Sequence, residues 1–313
     1  MSENELAERL LSGDRRALAR VISKIESEDS EVPAVISELY PHTGEAITIG
    51  FTGPPGVGKS SIIAKLIELY REEDKKVGVV SVDPSSPFTK GAILGDRIRL
   101  ADHFLDSNVF IRSMGTRGHL GGLAGASRLA AIAMEAYGMD VVLYETVGVG
   151  QGEVEVASAA DTVILALQPG AGDSVQALKA GVMEIADIIC MNKADHPQAN
   201  GAASEVRSIL EIGHELDPDA RTPPIVMTRG DNGEGVEELK EKIEEHREFL
   251  EETGRMKERH LASIKDFILS WATNKMEKEM QERLSREDEE LMEKVRKREL
   301  DPISAAETLY KEV

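Results

Sequence analysis

The run Gly53-Pro54-Pro55-Gly56-Val57-Gly58-Lys59-Ser60 constrains what this chain can become more than any other stretch. Its glycines let the backbone curl so that successive N–H groups point inward at phosphate oxygens. Such a loop needs a strand to anchor it and a helix whose N-terminus adds partial positive charge. The context supplies both. An apolar run over 46–51 precedes the loop, and Ile62, Ile63, Leu66, Ile67 and Tyr70 form one stripe of a helix after it. Lys59 is expected to reach the β- and γ-phosphates of a nucleotide, and the Ser60 hydroxyl to ligate Mg²⁺. Residues 53–60 together with Ser61 are thus the expected phosphate cradle.

Around this loop, short apolar runs at 46–51, 77–82, 109–111, 140–144, 162–167, 188–191 and 225–227 alternate with longer helical patterns. Val/Ile-rich runs without strict alternation predict a parallel sheet covered on both faces. The expected fold is α/β: a doubly wound, mostly parallel P-loop domain over 46–237, with helical extensions at 1–45 and 238–313. In the first extension, Leu18, Val21, Ile22 and Ile25 recur at helical spacing. In the last, Leu261, Ile264, Ile268 and Trp271 are spaced 3-4-3 like a short heptad seam, able to pack on the sheet domain or to self-associate. Asp301-Pro302 reads as a cap and first turn of a final helix.

The formal net charge of −20 repels phosphate backbones and anionic lipid, so neither nucleic acid nor a membrane is an expected partner. No window nears the ~20 consecutive apolar residues that span a bilayer, and the first thirty residues hold no apolar signal core. A cytoplasmic protein is expected. The single cysteine, Cys190, lies in an apolar run and reads as a buried thiol.

Ligands in open α/β sheets bind at the C-terminal tips of strands, so the metal-handling acids belong there. Asp83 and Glu145 each end an apolar run. Glu145 opens Glu145-Thr146-Val147-Gly148-Val149-Gly150, in which Gly148 would let a backbone N–H approach the γ-phosphate. Asn192-Lys193-Ala194-Asp195 directly follows the run at 188–191. Guanine offers N1–H and N2 amine protons side by side, and one carboxylate can accept both, whereas adenine presents no such pair. A buried Asp195 would therefore select GTP and GDP over adenine nucleotides. Lys193 would lay its alkyl stem over the base, and Asn192 would tie this loop to the phosphate loop. After the last run comes Thr228-Arg229-Gly230-Asp231, where many GTPases carry a Ser-Ala pair whose backbone meets the guanine oxygen. Arg229, Gly230 and Asp231 are the expected counterpart here.

Between the two nucleotide motifs, residues 82–99, 116–124, 145–151 and 168–173 are rich in Gly, Ser, Thr and Asp. With 53–61 and 192–195 they resemble the MeaB/ArgK family, GTPases that associate with methylmalonyl-CoA mutase. The resemblance spans essentially the whole α/β domain. It implies a chaperone that gates cofactor loading into an adenosylcobalamin-dependent acyl-CoA mutase and protects or reactivates it. It also implies a homodimer built through the C-terminal helices. Carried over by motif, Asp83, Asp96 and Glu145 look like the family's metal- and water-handling acids. The loop from Gln168 to Lys179 looks like its additional switch, with Lys179 able to signal to the partner. Two alternatives stand beside this one. A metal-centre maturation GTPase would require a Cys/His cluster, which the lone cysteine and seven dispersed histidines do not provide. An ATP-using kinase tied to amino-acid transport would require adenine selectivity, against which Asn192 and Asp195 argue.

Overall fold

The computed structural model describes residues 3–83, 100, 103–115, 120–146, 148, 159–170, 182–216, 221–286 and 289–311. Seven strands form one sheet: β1 (Ile47–Thr52), β2 (Val77–Asp83), β3 (Val109–Gly115), β4 (Val141–Thr146), β5 (Thr162–Leu167), β6 (Ile188–Met191) and β7 (Ile225–Met227). Their order is β3-β2-β4-β1-β5-β6-β7, and every pairing is parallel.

The apolar strands are explained by burial on both faces. Ile188 and Cys190 of β6 point into one core with Ile62, Ile63, Leu66 and Ile67 of α4 (Lys59–Glu72). Ile189 and Met191 point the other way, into a core with Val206 of α6 (Ala199–Leu216). On the first face α4 is joined by α7 (Val236–Glu252) through Val236, Leu239 and Ile243. On the second lies α5 (Leu120–Ala136), whose Met134 sits against Gly78 of β2. The N-terminal helices α1 (Glu3–Leu11), α2 (Arg15–Glu26) and α3 (Val32–Leu39) stack outside α5 and bury Leu10, Leu18, Ile22 and Leu39. Each such side chain contributes roughly 1.5–3 kcal/mol by leaving water.

Two strands outrun their apolar runs by more than one residue. β3 continues past Ile111 through Arg112 and Ser113 to Gly115. Among the described residues it pairs only with β2, and the polar step is tolerated because Arg112 Nε donates to Glu26 of α2 at 3.2 Å. β4 continues past Tyr144 to Glu145 and Thr146, both buried in the middle of the sheet.

The chain divides into two compact units, residues 1–261 and 262–313, with the division inside the 32-residue helix α8 (Arg255–Arg286). In the second unit the rest of α8 is followed by α9 (Glu289–Arg296) and α10 (Pro302–Lys311), which pack on each other. Asp301 caps α10 by accepting from the N–H groups of Ile303 and Ser304. Ile264, Ile268 and Trp271 of α8 are exposed. Among the described residues no helix is long and apolar enough to cross a membrane.

Candidate active site

β1 is the central strand, and the phosphate loop leaves its C-terminal tip between β4 and β5. Gly53 and Gly58 both adopt positive φ, +143° and +100°. A Cβ at Gly53 would lie 2.2 Å from the Ala166 carbonyl of β5, and one at Gly58 would lie 2.3 Å from Asn192 Nδ2. The loop thus needs glycine for its curl and for close packing against two neighbouring segments. Pro54 and Val57 are buried, Pro55 and Gly56 are exposed, and Ser61 is half-buried. Lys59 is buried, with its ammonium donating to the carbonyls of Gly53 at 2.5 Å and Pro54 at 2.9 Å. That holds a positive charge inside the curl.

The register of β1, β2 and β4 sets Glu145 beside Phe51 on one side and Ser81 on the other. The Ser60 hydroxyl donates to Glu145 Oε1, and Ser81 Oγ donates to Oε2 at 3.3 Å. Ser60 and Glu145 are both buried. Two hard oxygen donors in contact at the foot of a phosphate loop suit an ion that demands octahedral oxygen ligands. Asp83 ends β2, one strand further out, opposite Gly115. Gly148 lies at the tip of β1, its carbonyl accepting from Thr52 Oγ1 at 3.2 Å. Asp96 and Lys179 lie outside the described residues.

Asn192 is buried and joins three loops. Its Nδ2 donates to the Val57 carbonyl at 2.7 Å, and its Oδ1 accepts from Gly230 N at 2.9 Å and Thr228 Oγ1 at 3.2 Å. Lys193, in the left-handed region at φ +56°, lays its side chain back across the phosphate loop. There it donates to Gly56 O at 3.1 Å and to Gln168 Oε1.

Two expectations are corrected here. Asp195 is not buried: its side chain is 58% exposed at the rim, 3.6 Å from Arg229 Nε. The loop after β6 turns outward behind Asn192, so any discrimination rests on what the carboxylate accepts once a base covers it. The main-chain N–H groups of Arg229 and Gly230 are not free for a base either, since both are already donated within the protein. Arg229 N donates to Glu234 O at 2.8 Å, closing a tight turn, and Gly230 N is the donor held by Asn192. Asp231 is exposed and pairs with Arg229 at 3.3 Å.

Several supporting residues have no sequence motif. Ser81, Thr52 and Thr228 are buried polar residues at strand ends, each bonded to a residue of the nucleotide motifs. Their one signal is a hydroxyl interrupting an apolar run. Cys190 is fully buried, its thiol pushed up to about 12 by desolvation.

Comparison with known proteins agrees with this geometry. The sequence family described as "Methylmalonyl Co-A mutase-associated GTPase MeaB" matches residues 18–285. A protein of Pyrococcus horikoshii, one of several relatives named as GTPases, is 47% identical over 311 residues, 99% of this chain and 98% of that one. "GTPase ArgK" of Escherichia coli is 37% identical over 268 residues, 82% of this chain and 81% of that protein. "Methylmalonic aciduria type A homolog, mitochondrial" of Mus musculus is 30% identical over 325 residues, 96% of this chain and 77% of that one. The solved structure of an "LAO/AO transport system kinase" aligns with a TM-score of 0.67 at 25% identity, covering 99% of this chain and 96% of that one. A phosphate loop on the central strand, a strand-tip acid bonded to its serine, and a family match across most of the chain lead to one assignment: the chain is a GTP hydrolase and belongs to the MeaB family of methylmalonyl-CoA mutase-associated GTPases.

Proposed function

We propose that this GTPase is a nucleotide-driven chaperone of an adenosylcobalamin-dependent acyl-CoA mutase, with methylmalonyl-CoA mutase the first candidate. It gates cofactor loading and protects or reactivates the enzyme. The observation that carries the GTPase half of this reading is the buried contact between Ser60 and Glu145. The mutase half is supported by the family description and the mouse relative.

Lys59 neutralises the β- and γ-phosphates from inside the curl. Mg²⁺, held by Ser60 with Glu145, Asp83 and Asp96 around it, would supply charge neutralisation at the phosphate oxygens. Glu145 holds and orients a hydrogen-bonded neighbour at its second oxygen, the position from which water is handled. Gly148 brings the backbone close to the γ-phosphate end. Asn192 keeps base loop and phosphate loop in register, Lys193 lies across the base plane, and Asp195 accepts the two guanine protons. Arg229, flanked by Asp195, Asp231 and Glu234, holds the Asp195 carboxylate toward the base edge. The segment from Gln168 to Lys179 passes nucleotide state to the partner, and α8 of two copies pairs through its exposed stripe. The chain acts in the cytoplasm, away from membranes and nucleic acid.

The motifs offer no arginine as an obvious finger in cis, so turnover alone is expected to be slow. The test is GTP hydrolysis by the purified chain with and without methylmalonyl-CoA mutase. At least a tenfold stimulation, absent with Lys59→Ala and absent when ATP replaces GTP, is expected. Unchanged turnover with no co-elution would overturn the mutase reading and leave the GTPase standing. Equal use of ATP would overturn the base-site assignment.

A further inference from the structure

A lysine stem can cover a purine face only if something stops it from sweeping through its many rotamers. Lys193 is exposed, so packing does not hold its side chain. Its backbone is held firmly. The φ of +56° is one that residues with a Cβ adopt only where their surroundings enforce it. Here the surroundings are the neighbouring strand ends. Asn192 N donates to Leu167 O at 2.8 Å, Ala194 N to Thr228 O at 3.0 Å, and His196 N to Lys193 O at 2.9 Å. That leaves the ammonium, which donates to Gly56 O at 3.1 Å and to Gln168 Oε1.

Gln168 is a fixed acceptor for reasons of its own. The register of β5 on β6 pairs Leu167 with Met191, which brings the residue after β5 level with the start of the base loop. Pro169 follows and is buried, and a residue before proline is confined to extended backbone. One position further on, Gly170 has φ +80°, and a Cβ there would lie 2.9 Å from Gln198 Oε1. The chain leaving β5 therefore runs against the base loop twice, Gln168 on Lys193 and Gly170 on Gln198. Gln168 is also neutral. It holds the ammonium without cancelling its charge, whereas a carboxylate would set a negative charge beside the phosphate loop.

We infer that Gln168 is a positioning residue of the nucleotide site, fixing Lys193 across the purine plane by holding its ammonium at the tip of β5. This role rests on the reading that Lys193 lies over the base, and it adds a residue outside the phosphate-loop and base motifs. A base-plane contact is the same in the bound nucleotide and in the transition state, so its loss acts on binding and not on the chemical step.

Steady-state GTP hydrolysis by the full chain tests this with Gln168→Met, Lys193→Met and the double variant. Gln168→Met keeps the length of the side chain and removes the acceptor. It should raise KM about fivefold, the worth of one hydrogen bond, with kcat unchanged. Lys193→Met should raise KM by roughly tenfold or more, and the double variant should be no worse than Lys193→Met alone, because Gln168 acts only through Lys193. Effects that multiply in the double variant would overturn the inference, and so would a fall in kcat with Gln168→Met. Wild-type KM in Gln168→Met beside a raised KM in Lys193→Met would overturn it while leaving the base site intact. Wild-type KM in both single variants would instead remove Lys193 from the base, and this role with it.

Discussion

Asp195 and Arg229 show how one side chain can be set by residues far from it in sequence. The carboxylate stands at the rim, and Arg229 divides its charge among Asp195, Asp231 and Glu234 at 3.3–3.6 Å. Replacing the acceptor by an amide reverses the sense of one hydrogen bond. Asp195→Asn is expected to weaken GTP roughly a hundredfold and to favour xanthine nucleotide, read by competition against a fluorescent GDP analogue. Unchanged selectivity would remove Asp195 from the base site.

A second residue-scale test lies at the other edge of the sheet. His246 is buried, its Nδ1 2.9 Å from Thr162 Oγ1 and its Nε2 3.3 Å from Asp187, whose carboxylate is already clasped by Arg259. Burial, helped by Arg221 and Arg259 and opposed by Asp187 and Asp161, lowers its pKa from 6.5 to about 4. His260 goes the opposite way. Its hydrogen bond to Asp161, 2.6 Å away, raises it, with Glu135 adding and Arg259 opposing. The signs therefore oppose. Below pH 6.5 the unfolded chain takes up a proton that folded His246 refuses, so stability is lost as pH falls toward 4, by about 3 kcal/mol. Stability from His260 is present below pH 6.5 and is lost as pH rises through its raised folded pKa. Denaturant melts should show a maximum near neutrality. His246→Gln should flatten the acid side alone, and His260→Gln the alkaline side alone. A single flattening in both variants would show that the two histidines do not titrate independently.

At the scale of elements, the phosphate loop is held by segments it does not adjoin in sequence. Gly58 is the sharpest probe, since a methyl there would meet Asn192 Nδ2 at 2.3 Å in a left-handed backbone. Gly58→Ala should break the tie between Asn192 and Val57, lower GTP affinity at least tenfold, and cost about 1–3 kcal/mol of stability seen as a lower Tm. Wild-type affinity would mean that the loop tolerates separation from the base loop. The strands themselves were legible as apolar runs, because each central strand buries both faces. The ends were less so. Residues 112–115 of β3 escape a search for apolar runs because Arg112 is satisfied by Glu26, 86 positions away.

At the scale of the molecule, the amphipathic N-terminal helices and α7 complete the layers over the sheet, while α8 presents Ile264, Ile268 and Trp271 to solvent. Isolated exposed apolar residues are ordinary, whereas a stripe at helical spacing is the feature on which the proposed homodimer rests. Ile268→Glu, placed mid-stripe and remote from the nucleotide, should shift the chain from dimer to monomer in sedimentation equilibrium, with GTP binding unchanged. A dimer of wild-type stability in that variant would place the interface elsewhere.

The linear order of residues determined the phosphate loop, the strand-tip acids and the base motif, because each is a local run whose backbone geometry or side-chain chemistry is self-contained. Alternating apolar runs and helical stripes likewise determined a parallel sheet with two covered faces. Only the tertiary structure decided that Ser60 meets Glu145, that Asn192 holds three loops at once, and that Asp195 stands open beside Arg229. Those contacts join residues up to 135 positions apart, and their hydrogen-bond partners carry no periodicity a sequence can display.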